Sequence, residues 1–529
     1  MKKYLLFFFL AFTITVAFYY VLGWSQLPEG HGYVYPIDDA YIHLAISKNF
    51  AEYGVWSVNT TGFDSSSSSI LYTLLLAFCF KVFGNWDYYP MLINLLFGYA
   101  TVYMIWRYFK EFYGTREMKW VLFLFLPFTL LYAMVIFGME HVIHMFLTVC
   151  ALYGIRKNEE REFSGRYFGN LLLLVFLLGM VRFESMFFTV TLAFVLVLRR
   201  KWSQGFAVVA AGFLPILLFG WVAVENGGLF FPNSVMVKGS YPAEGGLIAS
   251  LWMILKKGIF LNFSFYKYLF FPLIIVGFLI FKPPFSLKKT ITLRTPEIVI
   301  FLTALFQACF AMIEYRYESY LMISLLLLVV PVTSQLQKRQ LFSNFRNVIL
   351  FCSFFGMILI SAYRFYYFHR TLQFAPKNIL EQQVEMSRFL NKYYQGEKIV
   401  ANDIGAIAYY GNVQLLDIVG LGSTEIASKV VELKNVPKKK KEEAMHHFLK
   451  NHIRNSGYKI AVVYPDWFPD GVPENWIPVA TWTISQNRSA ARDTVVFYAL
   501  NKNEVGKLQK SLRKFNLSPE VNQNFLIKN

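Results

Sequence analysis

Long apolar stretches separated by short polar segments fill the first 362 residues of the chain. A helix needs about 20 mainly apolar residues to cross a bilayer, so the pattern predicts a polytopic α-helical membrane protein with eleven transmembrane helices. The first stretch follows two lysines and lacks a small-residue cleavage site, and we expect a retained signal anchor. The predicted spans are 4–23, 88–107, 119–137, 140–155, 169–181, 186–198, 205–224, 264–281, 297–313, 319–333 and 347–362.

Basic residues predict the orientation of these spans. With the N-terminus inside, the loops rich in Lys and Arg all fall on the cytoplasmic side, which is the usual positive-inside pattern. The apolar stretch 69–84 is short and contains Lys81, and counting it as a span would invert the loops that follow. It is therefore predicted to be an interfacial helix within a first outer loop, 24–87. Basic clusters flank both ends of 169–198, which predicts a hairpin of two short spans.

The pattern changes after residue 362. The segments "EKIVANDIGAIAYYG", "YKIAVVY" and "TVVFYAL" are predicted to form strands, and helices are predicted at 378–394 and 438–455. The chain is thus divided into a transmembrane module, 1–362, and a small extracytoplasmic α/β domain, 363–529. This domain is predicted to bind the acceptor or cap a cavity, with a purely structural role as the alternative.

Composition supports the membrane class. Hydrophobic residues make up 56% of the 529 residues, aromatic residues 19%, and the mean hydropathy is +0.41. The formal charge of +18 reflects largely basic loops near spans, so membrane lipid is an expected partner and nucleic acid is not. The four cysteines lie in apolar runs without disulfide or metal spacing.

With this topology, unusual polar residues recur at the outer ends of the spans. Acids and cations that recur at one membrane face predict a shared cavity there. The serine run 65–69 is predicted to be a flexible loop beside it. The recurring residues are Asp38 and Asp39 in the first outer loop, Glu140 in the next outward span, Arg182 and Glu184 at the hairpin tip, Asn233 and Lys238 in the third outer loop, and Glu314, Arg316 and Glu318 in the fourth.

This residue set suits the transfer of a sugar carried on a lipid phosphate. The phosphate leaves readily and needs a cation, for which Arg182, Lys238 and Arg316 are candidates. The acceptor hydroxyl needs a carboxylate base, and one base on one face gives inversion. The residue set therefore predicts an inverting glycosyltransferase that moves a sugar from a lipid-phosphate donor to an acceptor hydroxyl.

Several stretches resemble the GT-C superfamily of membrane glycosyltransferases, and most of all the bacterial group of arabinofuranosyltransferases and protein O-mannosyltransferase relatives. These stretches are "DDAYIHLAISKNFAEYG", "GMEH", "RFES", "PNSVMVK", "YRY" and "ANDIGAIAYYGNVQLLDIVGL", in family order. The resemblance implies that Asp38 or Asp39 is the base and that Glu140 assists it. It also implies a polyprenyl-phosphate sugar as the donor of a monosaccharide, a glycan, lipid or protein of the cell envelope as the acceptor, and a bacterial inner or plasma membrane. With the predicted topology, the active site is extracytoplasmic. Phe183 departs from the proline that is common in the family.

The adjacent aspartates are predicted to have different roles because neighbouring side chains diverge. Asp38 matches the first acid of the family motif and is the predicted base, and Asp39 is the predicted N-cap of the following helix. Glu140, His141 and His144 have a spacing that can bind a divalent metal, Mg or Mn, but a lone cluster of this kind more often lines a polar cavity, which is the favoured interpretation here. No other cofactor is predicted.

Two other functions stay open. A secondary transporter or flippase would place polar groups near the bilayer midplane and contain an internal repeat. Another lipid-linked-sugar enzyme, such as a ligase or polymerase, would carry more arginine in its outer loops. The prevalence of acids there favours the glycosyltransferase.

Overall fold

A computed structural model of the chain describes residues 2–239, 247–281, 286–314, 316–334 and 344–527. Parts of two predicted basic loops, 282–285 and 335–343, lie outside these ranges. The helices of the membrane part are α1 Lys2–Trp24, α2 Asp39–Tyr53, α3 Ile70–Phe83, α4 Tyr89–Phe112, α5 Thr115–Thr129, α6 Leu131–Phe137, α7 His141–Glu159, α8 Gly165–Val181, α9 Ser185–Leu198, α10 Trp202–Glu225, α11 Asn233–Lys238, α12 Leu247–Leu255, α13 Phe263–Tyr268, α14 Phe270–Ile280, α15 Leu287–Leu293, α16 Thr295–Phe310, α17 Ser319–Thr333 and α18 Phe345–Ile379.

Apolar helices confirm the predicted membrane class. Within the described ranges, five helical segments are long and apolar enough to span a bilayer, and several apolar helices are shorter. The segment predicted as a hairpin consists of two helices, α8 and α9, separated at Arg182–Glu184. The predicted span 119–137 is broken between α5 and α6 at Leu130, whose φ is 54°. The interfacial position of α3 and the count of eleven spans remain predictions.

The C-terminal part contains a mixed sheet. Strands at 398–401, 460–463 and 494–499 lie within the three predicted segments, but residues 405–410 of the first segment form a helix. Strand order is β2-β1-β3-β5-β4-β6, with β2, β1 and β3 parallel and the other pairings antiparallel. Apolar clusters cover both faces of this sheet. The elements are α19 Glu385–Tyr393, β1 Lys398–Ala401, α20 Gly405–Tyr410, β2 Gln414–Asp417, α21 Thr424–Glu432, α22 Lys438–Asn455, β3 Ile460–Val463, β4 Ile477–Thr483, β5 Thr494–Ala499, α23 Lys502–Lys514 and β6 Asn522–Phe525.

One continuous helix joins the two parts. From Phe345, α18 continues through a π-helical turn, 380–384, into α19, so that 49 residues form a single helical segment. The predicted boundary at residue 362 therefore lies inside a helix, where the apolar pattern ends but the backbone pattern does not. Contacts with the C-terminal domain begin near Asn378. Its side chain donates to the Ser485 carbonyl and accepts the Arg488 N–H, both between β4 and β5.

The first outer loop packs against the C-terminal domain. Ile46, Trp56 and Val58 belong to the apolar cluster on one face of the sheet. Asn59 extends the edge of β2, because its side chain donates to the carbonyl of Leu415 at 3.0 Å and accepts its N–H at 2.7 Å. The domain thus packs against α2 and the segment that follows it.

The predicted orientation can be tested with single cysteines in a variant that lacks the four natural ones. We expect Lys439→Cys, in the exposed part of α22, to react with an impermeant maleimide in intact cells. Arg116→Cys, at the exposed start of α5, should react only after lysis. Labelling in the opposite order would contradict both the topology and the interfacial position of α3.

Candidate functional site

A cavity of about 410 Å³ opens where the predicted outer loops meet. Its polar lining comes from α2, the serine run, the hairpin tip and α11. Aromatic and aliphatic side chains form most of the remaining wall, and Leu421 of the C-terminal domain completes it. The charged lining residues are Asp39, Arg182, Glu184 and Lys238.

The two adjacent aspartates point to different places. Asp39 is the first residue of α2 and lines the cavity. Asp38 is buried, and its two oxygens accept the backbone N–H groups of Gly405 at 2.5 Å and Ala406 at 2.8 Å. The predicted N-cap is therefore wrong, because Asp38 precedes α2 and caps α20 of the C-terminal domain instead. Gly405 is required for this approach, since a Cβ there would lie 2.1 Å from the Asp38 carbonyl oxygen.

A second carboxyl, the half-buried Asp403, contacts Asp38. Their side chains are hydrogen-bonded to each other, and Asp403 also accepts from Gln383 at 2.6 Å and the Tyr464 hydroxyl at 3.1 Å. Burial raises the pKa of Asp38 well above its ordinary value, and the neighbouring Asp403 raises it further. Burial also raises the pKa of Asp403. Two carboxyls in such contact share one proton.

Asp39 is held ionised by cations. Its Oδ2 forms an ion pair with Arg316, and its side chain remains 32% exposed. Burial opposes ionisation, but Arg316 and Lys238 outweigh it and lower the pKa of Asp39. Arg316 does not itself line the cavity; it lies behind Asp39 with its guanidinium over the ring of Tyr317. This arrangement leaves Oδ1 of Asp39 available to a ligand.

Glu140 lies behind the cavity wall and binds three of the lining residues. It is fully buried and pairs with Arg182 Nη1 at 2.5 Å and with His43 Nε2 at 3.1 Å, and Ser68 donates to it at 2.8 Å. Arg182 also makes two bonds to Glu184, of 2.6 and 3.0 Å. The Arg182 guanidinium is therefore enclosed by two carboxylates, and Glu140 reaches the cavity only through its partners.

Lys238 is the cavity cation without an ion pair or hydrogen bond to any described residue. It ends α11, whose first residue, Asn233, is buried away from the cavity. The Asn233 amide nitrogen lies 3.4 Å from both the Leu421 carbonyl and the Thr424 hydroxyl oxygen. Of this predicted pair, only Lys238 faces the cavity, and Asn233 connects its helix to the C-terminal domain.

The sequence did not single out His43 and Tyr317 as cavity-lining residues. His43 lies one helical turn after Asp39, a spacing that could have indicated it. The serine run also differs from the prediction of a flexible loop. Ser65, Ser67 and Ser69 are buried, and Ser67 donates to the Ser69 carbonyl at 2.9 Å.

The described ranges contain no group of three or more His, Cys, Asp or Glu placed to hold a metal. His144 Nε2 lies 3.1 Å from the Ser185 hydroxyl, and its ring stacks on Tyr320. These contacts join α7 to α9 and α17. The dependence on Mg or Mn remains a prediction.

Comparison with solved structures confirms the GT-C fold. Two crystal structures of ArnT from Cupriavidus metallidurans, one apo and one bound to undecaprenyl phosphate, match with a TM-score of 0.51 at 13% identity, covering 94% of this chain and 98% of theirs. An Archaeoglobus fulgidus oligosaccharyltransferase in complex with Zn and sulfate matches with a TM-score of 0.46 at 12% identity, covering 94% of this chain and 73% of that chain. A family described as a domain of unknown function (DUF8728) matches residues 377–498. No curated protein matches the chain significantly.

The carboxyl pair predicts a pH-dependent stability. A carboxyl whose pKa is raised by folding favours the folded state when protonated, and this contribution is lost as pH rises through the raised pKa. We expect the unfolding temperature of the wild type to fall as pH rises above the ordinary range of a carboxyl pKa. The unfolding temperature of Asp403→Asn should fall less, because the asparagine amide can donate to Asp38 at any pH.

Thermal unfolding of the detergent-solubilised protein measures this difference. Asp470→Asn is the matched control, because it makes the same change at an exposed position of the same domain. Equal pH dependence in the wild type and Asp403→Asn would contradict the shared proton.

Proposed function

We propose that the chain transfers a monosaccharide from a polyprenyl-phosphate donor to an acceptor hydroxyl, with inversion, at the outer face of a bacterial inner or plasma membrane. The observation that carries the proposal is an ionised carboxylate, Asp39, beside an unpaired cation, Lys238, in a largely apolar cavity. The fold shared with ArnT, which has been crystallised with undecaprenyl phosphate, supports this donor class.

The cavity suits an amphipathic ligand. Phe183, Phe187, Phe231 and Phe310 provide apolar surface for the first prenyl units. Lys238 supplies charge for the phosphate, and charge-assisted hydrogen bonds of this kind are stronger than neutral ones. The position of a lipid phosphate at a membrane surface, with its tail in the bilayer, agrees with a cavity that combines both features.

Asp39 is the proposed base, in place of the predicted Asp38. As the acceptor oxygen forms its bond to the anomeric carbon, the bond from that carbon to the phosphate oxygen breaks. The hydroxyl proton moves to Asp39, and the lipid phosphate leaves as an anion beside Lys238. Because a single base activates the acceptor for one direct displacement at the anomeric carbon, the configuration inverts.

Arg316 acts as a positioning residue in this scheme. It binds Oδ2 of Asp39 and leaves Oδ1 to accept a hydrogen bond from the hydroxyl of the sugar acceptor. Arg182 is neutralised by Glu140 and Glu184, so its predicted role as a phosphate ligand is secondary to Lys238. Glu184 lines the cavity and suits hydrogen bonding to sugar hydroxyls. Glu140 assists by holding Arg182 and by its contact with His43.

The two aspartates can be separated by amide substitution. Asp39→Asn should slow transfer about 100- to 10,000-fold, the usual effect of removing a general base. Asp38→Asn should instead lower the unfolding temperature and slow transfer by the folded protein less than about tenfold. Transfer of labelled sugar from lipid-phosphate donors to envelope material, in membranes of a deletion strain, measures both. Glu52→Gln, exposed on the same helix, is the control. Near wild-type transfer by Asp39→Asn would refute the assignment.

The two cations should differ as well. Lys238→Gln should weaken binding of undecaprenyl phosphate about 10- to 100-fold, because a charge-assisted bond is lost. Arg316→Gln should change binding less than about threefold. It should move the acidic limb of the pH–rate profile to higher pH, since Arg316 lowers the pKa of the base. An unchanged acidic limb would contradict the positioning role of Arg316.

A further inference from the structure

The C-terminal domain contacts α11 directly beside the cavity. On the α11 side, Asn233 approaches the Leu421 carbonyl and the Thr424 hydroxyl. On the domain side, the ammonium group of Lys434 donates to the carbonyl of Met236. We call these five residues the domain–α11 contact.

The helix depends on its neighbours for its position. With six residues, α11 is far shorter than a helix that is stable in isolation. Its first N–H, from Asn233, donates to the carbonyl of Ser65 at 2.8 Å. Near its other end, the Lys434 ammonium binds a carbonyl of the last turn, where a cation also interacts favourably with the helix dipole. Lys238 lies two residues beyond that carbonyl.

The segment 421–424 of the C-terminal domain, which contacts Asn233, also contacts the cavity and the first outer loop. Leu421 lines the cavity together with Lys238. The N–H of Thr424 donates to Asp64 Oδ1 at 2.8 Å, and the Ser57 hydroxyl donates to the other oxygen of Asp64. The position of α11 is therefore defined by contacts with two separate parts of the chain.

We propose that the C-terminal domain forms part of the donor-phosphate site, because the domain–α11 contact positions the Lys238 ammonium in the cavity. This inference rests on the proposed role of Lys238 as the phosphate ligand. It assigns a positioning role to Asn233 and Lys434, neither of which lines the cavity. It also gives this domain a function in binding a lipid phosphate anion.

A double-mutant cycle tests the inference in the full-length protein, with undecaprenyl phosphate as the probe in detergent. Lys434→Gln should weaken binding about 3- to 10-fold, and Lys434→Arg should restore most of it. Lys434→Gln combined with Lys238→Gln should bind no more than about twofold more weakly than Lys238→Gln alone, because both changes remove one interaction. Lys439→Gln removes an exposed charge of the same domain and should bind normally.

The outcomes separate this inference from the proposed function. Additive losses would mean that Lys434 acts as a distant charge. Normal binding by Lys434→Gln would mean that Lys434 has no positioning role. Either result overturns this inference and leaves the proposed function standing. Wild-type affinity in Lys238→Gln would refute the phosphate ligand itself, and the inference with it. If Lys434→Gln fails to fold, as judged by its unfolding temperature, Asn233→Ser takes its place in the same cycle.

Discussion

The hydrogen bonds from Gly405 and Ala406 to the carboxylate of Asp38 connect the membrane part to the C-terminal domain, and the geometry of the site depends on them. A buried carboxylate is tolerated only when its oxygens are satisfied, and here the N-terminus of α20 satisfies them. The contact places α2 against the domain. Because successive residues at the start of a helix point about 100° apart, Asp39 then faces the cavity. This explains why the two acids are adjacent: Asp38 binds the C-terminal domain, and Asp39 faces the cavity.

The pairing of charges distinguishes cations that look equivalent in the sequence. Charges near hydrocarbon are stable when they are paired and hydrogen-bonded, and the site follows this rule. Arg182 has two carboxylate partners and Arg316 has Asp39. Lys238 makes no ion pair or hydrogen bond with a described residue and acts on Asp39 only at longer range, so its ammonium is the one available to a ligand anion among these three cations. The same rule explains Glu140, whose carboxylate is fully buried and is occupied by Arg182, His43 and Ser68.

Local patterns were sufficient to predict much of the fold. Apolar run length gave the helices of the membrane part, and the strands β1, β3 and β5 followed from short buried runs. The cavity was predicted because polar residues recur at one end of the spans. The orientation of the aspartates could not be predicted, since it depends on Gly405, far away in sequence. The partner of Arg316 is likewise a tertiary property. The helix that crosses residue 362 was missed because the end of the apolar pattern was taken as the end of the helix. That pattern shows only where the chain leaves the membrane, and the helix continues beyond it.

The domain is joined to the membrane part both covalently and through the first outer loop. The 49-residue helical segment enters the domain, Asn59 pairs with the edge of β2, and Asp87 accepts the hydroxyls of Tyr409 and Tyr410 at 2.6 and 2.8 Å. Moving the domain away would break these contacts together with those of Asp38 and α11. The site is therefore assembled from both parts, and the contacts between them fix the positions of the charges that would stabilise a departing anion. The loop between β2 and α21, which contains Leu421, is accordingly as much a part of the site as the membrane helices are.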